Sequence, residues 1–431
     1  MIINRRIHFK FQHFVSLLIF IGVTALCCAA YAFDYPFDDP YVATIVGTPK
    51  QIQAELPKKV PIKTRSLKEI EGREVPEALW YYKTLYYSFV RQKGEAPLVF
   101  AIAGTGADHN SDKNLFLMKA LYQAGFHVVG ITSPTHPNFV TAASSTSVPG
   151  HLQYDSEDLY RVMQQIWTDI KGKIKVSEFY LTGYSLGGTQ AAFVAKIDQE
   201  QQVFNFKKVL MLNPSLKLYN SVSKLDRMLQ NIPGGEDNFN KYYAQLVQKI
   251  SKVYKRSHTV EFNEELIYRA FQEERPEDEE LAAIIGVAFR ISSANLIFTS
   301  DVMTNFGFIK PKNEILKKTS PLGEYLKVSV RLGFTDYYHD YLFPYFHKLD
   351  PSLTRESLVD MMSLRYIEDF LRRSKNIGVV TNQDDIILAK GEIDFFPEVF
   401  GDRAMIYPSG GHMGNLFYRD TMAYIVGYFK K

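Results

Sequence analysis

The stretch Glu178–Gly188, EFYLTGYSLGG, decides the fold. Phe179–Thr182 reads as a strand and Gly188–Lys196 as a helix, with small Ala191, Ala192 and Ala195 suited to close packing. Between them stands Gly183-Tyr184-Ser185-Leu186-Gly187. Glycines on both sides of a serine let a chain turn sharply from strand to helix. Such a turn lifts the hydroxyl clear of the backbone and aims it at an incoming carbonyl. It also puts the Leu186 N–H at a helix start, where it can donate to a developing oxyanion. The pentapeptide is a weak motif by itself, so its surroundings carry the reading.

Upstream, Leu98–Ala103 (LVFAIA) is a short apolar run closed by Gly104-Thr105-Gly106, a buried strand followed by a tight turn. Trp80–Val90 has the aromatic density of a strand, and His127–Ser133 is another. Asn114–Ala124 has helical spacing, and Asp155–Ile170 reads as a helix capped by Asp155 or Ser156. Asp34–Glu77 reads as an irregular lead-in, and Thr135–Gly150 as a loop. Downstream, Lys207–Leu212 is a strand. Strands alternating with helices at this rhythm predict a doubly wound, mostly parallel α/β sheet.

The rhythm then stops. Ser215 to Asn376 spans about 160 residues, where one helical crossover unit needs about 30. Asn240–Tyr254, Glu264–Phe271 and Ser357–Arg373 read as helices, and the acidic run Glu273–Glu280 as a solvated face. Apolar Ala282–Phe308 is interrupted by Arg290 and Asp301, so it reads as core or pocket lining rather than a membrane span. Ile377–Thr381 and Arg403–Tyr407 resume the sheet, Glu392–Phe400 is partly helical, and Tyr418–Phe429 closes the chain as a helix. The expected organisation is a leader at 1–32, a core at 33–215 and 376–431, and a large helical cap inserted at 216–375.

A serine hydroxyl needs a base, and the base an orienting carboxylate. Four histidines follow Ser185, and three of them (His258, His339 and His347) lie in the expected cap. His412 sits in Ser409-Gly410-Gly411-His412-Met413-Gly414, directly after the last strand, where glycines can carry an imidazole over a neighbouring strand end. The acid belongs between them, and Thr381-Asn382-Gln383-Asp384-Asp385-Ile386 offers two adjacent aspartates. Asp385 is the preferred acid, because a polar turn precedes it and an apolar residue follows. Asp384 is the alternative, and a plain Asx turn would account for either. The turn after the early strand can supply a second oxyanion donor, the N–H of Thr105. His136 and His151 are expected near the pocket mouth.

With these residues in chain order Ser, Asp, His, the sequence resembles the α/β-hydrolase-fold serine hydrolases over roughly 80–215 and 376–431. The AGTGA turn (103–107) and the GGHMGN loop (410–415) are similar to those of uncharacterised exported hydrolases of proteobacteria. Ala103 stands where lipases commonly carry His. The resemblance implies Ser185, His412 and Asp385 as catalytic residues, Leu186 and Thr105 at the oxyanion, and a carboxylic ester or related acyl substrate, small or lipid-like. Apolar Phe289, Leu296, Phe298, Phe306 and Phe308 suit an acyl pocket. The rival from another class is a non-catalytic envelope protein that binds a lipid or partner on the same scaffold. The sequence holds no phosphate loop, HExxH or Cys/His zinc cluster, so neither metal nor cofactor is expected.

The 431 residues, 46% hydrophobic and 23% charged, have globular composition. Arg5, Arg6 and Lys10 precede the uncharged run Phe14–Ala32, which ends in Ala30-Tyr31-Ala32, a small-x-small site. A cleaved signal peptide is expected; an uncleaved anchor, with membrane association through this segment, is the alternative. The three basic residues account for the net charge of +3, so a mature chain from Phe33 would be neutral, which argues against nucleic acid as a partner. Both cysteines, Cys27 and Cys28, would leave with the leader. An exported chain without cysteine suits a Gram-negative periplasm or envelope.

Overall fold

The computed structural model describes residues 33–430, apart from 71, 236–237, 239–240, 247, 249–268, 270–271 and 273–279. The leader, the helices expected at 240–254 and 264–271 for the most part, and the acidic run at 273–279 lie outside the described residues.

Eight strands form one sheet: β1 (Lys63–Ser66), β2 (Tyr86–Val90), β3 (Ala96–Ile102), β4 (His127–Ile131), β5 (Val176–Tyr184), β6 (Lys208–Leu212), β7 (Ile377–Asn382) and β8 (Ala404–Tyr407). Their order is β1-β2-β4-β3-β5-β6-β7-β8. β2 runs antiparallel to β1 and β4, and every other pairing is parallel. This is the sheet of the α/β-hydrolase fold, as the sequence resemblance implies. The central strands are buried on both faces: Leu98 to Ile102 of β3 show no exposed surface. That is why they read as unbroken apolar runs instead of alternating ones.

Helices Asp112–Gln123, Leu152–Ile170, Leu186–Gln201 and Arg419–Lys430 accompany the sheet. Between β6 and β7 the described chain is helical. The long member, Leu281–Thr304, has the length and apolarity to cross a membrane but lies 83% buried within the protein. One of its faces joins the sheet's hydrophobic cluster through Phe289, Leu296 and Ile297. The other packs on a second cluster through Ile284, Val287 and Ile291. At its C-terminal end, fully buried Asp301 accepts four backbone N–H bonds, from Gly307 to Lys310, at 2.8–2.9 Å.

Several local expectations are corrected. The lead-in 34–77 contains a helix, Pro40–Val46, and the edge strand β1. Asp39 caps that helix by accepting from the Tyr41 and Val42 N–H groups, and Pro40 presets the first helical φ. The aromatic run from Trp80 becomes a strand only at Tyr86, because 77–82 forms a 3-10 turn after Pro76 that leaves Trp80 half exposed. The loop 135–150 includes the helix Pro137–Ala142, whose N-cap is His136. The helix expected to start at Asp155 begins at Leu152. The Asp155 carboxyl instead accepts the Gly150 N–H at 2.8 Å, and its burial raises its pKa well above the carboxylate range.

Candidate active site

Ser185 occupies the turn between β5 and the helix Leu186–Gln201, with φ 55° and ψ −126°. This is a conformation that few non-glycine residues hold. The flanking glycines make it possible. A Cβ on Gly183 would meet the Gly187 carbonyl oxygen at 2.2 Å, and one on Gly187 would meet the Ile102 carbonyl oxygen at 2.4 Å. The serine is tied down by its own N–H, which donates to the Leu212 carbonyl at the end of β6, at 2.8 Å.

The structure brings His412 and Asp385 to this serine. His412 Nε2 lies 2.9 Å from Ser185 Oγ, and its Nδ1 lies 3.0 and 3.1 Å from the two Asp385 oxygens. An ionised carboxylate only accepts, so Nδ1 carries the imidazole proton and Nε2 accepts from the hydroxyl. The Asp385 side chain is fully buried. It also accepts from Asn213 Nδ2 at 2.9 Å and from the Ile387 N–H at 3.1 Å. These donors fix the orientation of the carboxylate.

Asp384 turns the other way. Its oxygens accept the Gly410 and Gly411 N–H groups at 3.1 and 3.0 Å, gripping the backbone just before His412. Burial raises its pKa, and the two N–H groups oppose that. The two adjacent aspartates therefore divide the work: one meets the imidazole, and the other shapes the loop that carries it.

Thr105 and Leu186 line one cavity beside the serine. In the turn, the Gly106 N–H is taken by Thr135 Oγ1 at 2.8 Å and the Ala107 N–H by the Gly104 carbonyl at 3.1 Å. The Leu186 N–H is the first of its helix and has no helical acceptor one turn earlier. Gly104 allows the turn to sit this close, since a Cβ there would meet the Tyr184 ring at 2.9 Å and Ser185 Cβ at 3.1 Å. Phe289 and Leu296 line the same cavity. Phe298, Phe306 and Phe308 pack in the core instead, with Phe306 stacked on Tyr341.

His136 and His151 are both buried, not at a rim. His136 Nδ1 caps its helix by accepting the Asn138 N–H at 3.1 Å. Burial pushes the His151 pKa down to about 4. His339 and His347 bond within or beside the inserted segment, to Tyr219 and Leu353. His258 lies outside the described residues.

Four supports escaped the sequence reading. Asn213 orients Asp385, as noted. Asn382 and Asn415 exchange amide bonds, and Asn382 Nδ2 also holds the Gly411 carbonyl at 2.8 Å. Thr44, on the helix Pro40–Val46, donates to the Pro40 carbonyl at 2.6 Å and accepts the His412 N–H at 2.9 Å. Glycines let this helix touch the loop: a Cβ on Gly411 would meet the Pro40 carbonyl oxygen at 2.2 Å, and one on Gly414 the Ala43 carbonyl oxygen at 2.1 Å. Thr44→Val keeps the shape and leaves the His412 N–H without its acceptor, at a cost of about 1–3 kcal/mol. We expect the rate of fluorophosphonate labelling at Ser185 to fall about tenfold and Thr44→Ser to restore it. A valine variant that labels as fast as wild type would show that the loop does not depend on this bond.

No protein-family model and no curated protein matches the chain. Among solved structures it is similar to a proline iminopeptidase of Mycobacterium smegmatis, at 10% identity over 85% of this chain and 98% of that one, with a TM-score of 0.43. It is similar to an esterase of Pyrococcus furiosus, at 9% identity over 88% and 97%, with a TM-score of 0.42. It is also similar to the thioesterase domain of a curacin biosynthetic pathway, at 11% identity over 86% and 100%, with a TM-score of 0.41.

Proposed function

We propose that the protein is a serine hydrolase that cleaves a carboxylic ester or related acyl substrate through an acyl-enzyme. The observation that carries this reading is the unbroken chain from Ser185 Oγ through the His412 imidazole to buried Asp385, at 2.9 and 3.0 Å. A binding scaffold has no physical need of that alignment.

In the mechanism, His412 Nε2 takes the hydroxyl proton as Ser185 Oγ attacks the carbonyl carbon. The N–H groups of Leu186 and Thr105 hold the oxyanion. As the tetrahedral intermediate collapses, His412 returns the proton to the leaving oxygen. The acyl group stays on Ser185 until a water, deprotonated by His412, releases the acid. Asp385 keeps the imidazole in the tautomer that accepts at Nε2 and stabilises the imidazolium. No step calls for a metal or cofactor, and the partner is the acyl substrate itself. The leader-like segment 1–32 adds the proposal that the enzyme works in a Gram-negative periplasm or at its envelope.

The test is labelling of the purified protein with a fluorophosphonate, which reacts only with an activated serine. Wild type should label stoichiometrically and Ser185→Ala not at all. Folded wild-type protein that stays unlabelled would reject the hydrolase and leave the lipid- or partner-binding scaffold.

A further inference from the structure

The cavity beside Thr105 and Leu186 is narrow, and its walls say what fits. It holds about 20 Å³ of water-accessible space, room for one or two water molecules. Apolar Leu218, Val222, Phe289, Leu296 and Phe334 dominate the lining. Two of the four lining hydroxyl residues already hold partners. Thr135 Oγ1 serves the Gly106 N–H and lies 2.9 Å from Ser133 Oγ, while Ser293 Oγ donates to the Phe289 carbonyl at 3.0 Å. No charged residue stands in the lining, so a charged group placed here would lose its hydration without an ionic partner.

Of the two substituents on an ester carbonyl, the leaving oxygen must meet His412 Nε2 to be protonated. The lining includes both proposed oxyanion donors but not His412. The cavity therefore receives the other substituent, the acyl group.

The far wall is held from behind. The helix Leu281–Thr304 presents Phe289, Ser292 and Leu296 to the cavity and packs its opposite face on Met228 and Leu229. The approach is close at both faces. A Cβ on Gly286 would meet the Leu229 nitrogen at 2.9 Å, and one on Gly106, in the oxyanion turn, would meet Ser292 Oγ at 1.9 Å. A part-buried ion pair, Arg290 with Asp226 at 3.3 Å, pins the same helix. A helix clamped between the oxyanion turn and a second core cannot retreat to admit a long chain without giving up packing on both sides.

We propose that the enzyme is selective for short, uncharged aliphatic acyl groups, about two to four carbons long, and that Leu296 and Phe289 set the limit. This rests on the proposed hydrolase function. The experiment measures kcat/KM for p-nitrophenyl acetate, butyrate and octanoate with wild type, Leu296→Ala and Phe289→Ala, beside fluorophosphonate labelling of each. Wild type should prefer butyrate over octanoate by at least about tenfold. Each alanine variant should narrow that preference about tenfold by gaining octanoate. The wild-type profile tests the idea even if an alanine variant fails to fold. Wild type that labels at Ser185 yet prefers octanoate overturns the selectivity and leaves the hydrolase standing. So do folded alanine variants with the wild-type chain-length profile. Wild type that neither labels nor turns over any ester overturns both.

Discussion

His412→Ala should lower kcat on the best ester by about four to six orders of magnitude, because it removes the proposed base and general acid together. Without the imidazole, Ser185 must lose its proton to water at the moment of attack, and the leaving oxygen departs without a proton. The two proposed oxyanion donors remain, so a residual rate of about 10³–10⁴ over water should persist. The fold should survive. The His412 side chain is only 16% exposed but contributes no hydrophobic core, and the loop is held through backbone by Asp384, Asn382 and Thr44. The stability loss comes from Asp385, which keeps Asn213 and the Ile387 N–H but loses its charge-assisted partner. That should be about 1–3 kcal/mol. The measurements are steady-state kinetics and a denaturant midpoint on the same preparation. Turnover within tenfold of wild type in a folded variant would remove His412 from the mechanism.

Much of the candidate site is legible in the sequence because its residues sit at strand ends. Gly183 and Gly187 announce a close approach of backbone, and the structure supplies the two carbonyls that a side chain would strike. Gly410 and Gly411 mark the loop after the last strand in the same way, with φ 143° and 54°. What sequence could not resolve was the choice between neighbours. Asp384 and Asp385 share one turn, closed by the Asp385 N–H on the Asn382 carbonyl, and both suit an Asx turn. Which carboxyl faces the imidazole depends on how that turn is oriented against a loop 27 residues away. Nor could it resolve contacts across the chain. Thr44 lies 368 residues before the N–H it accepts. The start signal Asp39-Pro40 was present, but the polar, proline-rich surroundings masked a helix of only 7 residues. Aromatic content misled at Trp80, where the proline and the 3-10 turn that follows outweighed β propensity.

The two adjacent aspartates give the second large effect, and it is a contrast. Asp385→Asn should lower kcat by about 10⁴, because an amide nitrogen facing Nδ1 makes that nitrogen an acceptor and shifts the ring proton to Nε2. The tautomer so favoured cannot take the serine proton. Asp384→Asn should cost far less, about tenfold. Its amide oxygen can still accept one of the two glycine N–H groups, and the imidazole keeps its own carboxylate. The loss there is one bond to the loop, which should appear as lower stability and a modest fall in kcat with the proton in its normal place. A ratio of at least about a hundred between the variants is therefore expected. Both should be measured across the same pH range, beside a denaturant midpoint for each. If Asp384→Asn proved as damaging as Asp385→Asn, loop position and not the tautomer would be the controlling variable, and Asp385 would lose its assigned role.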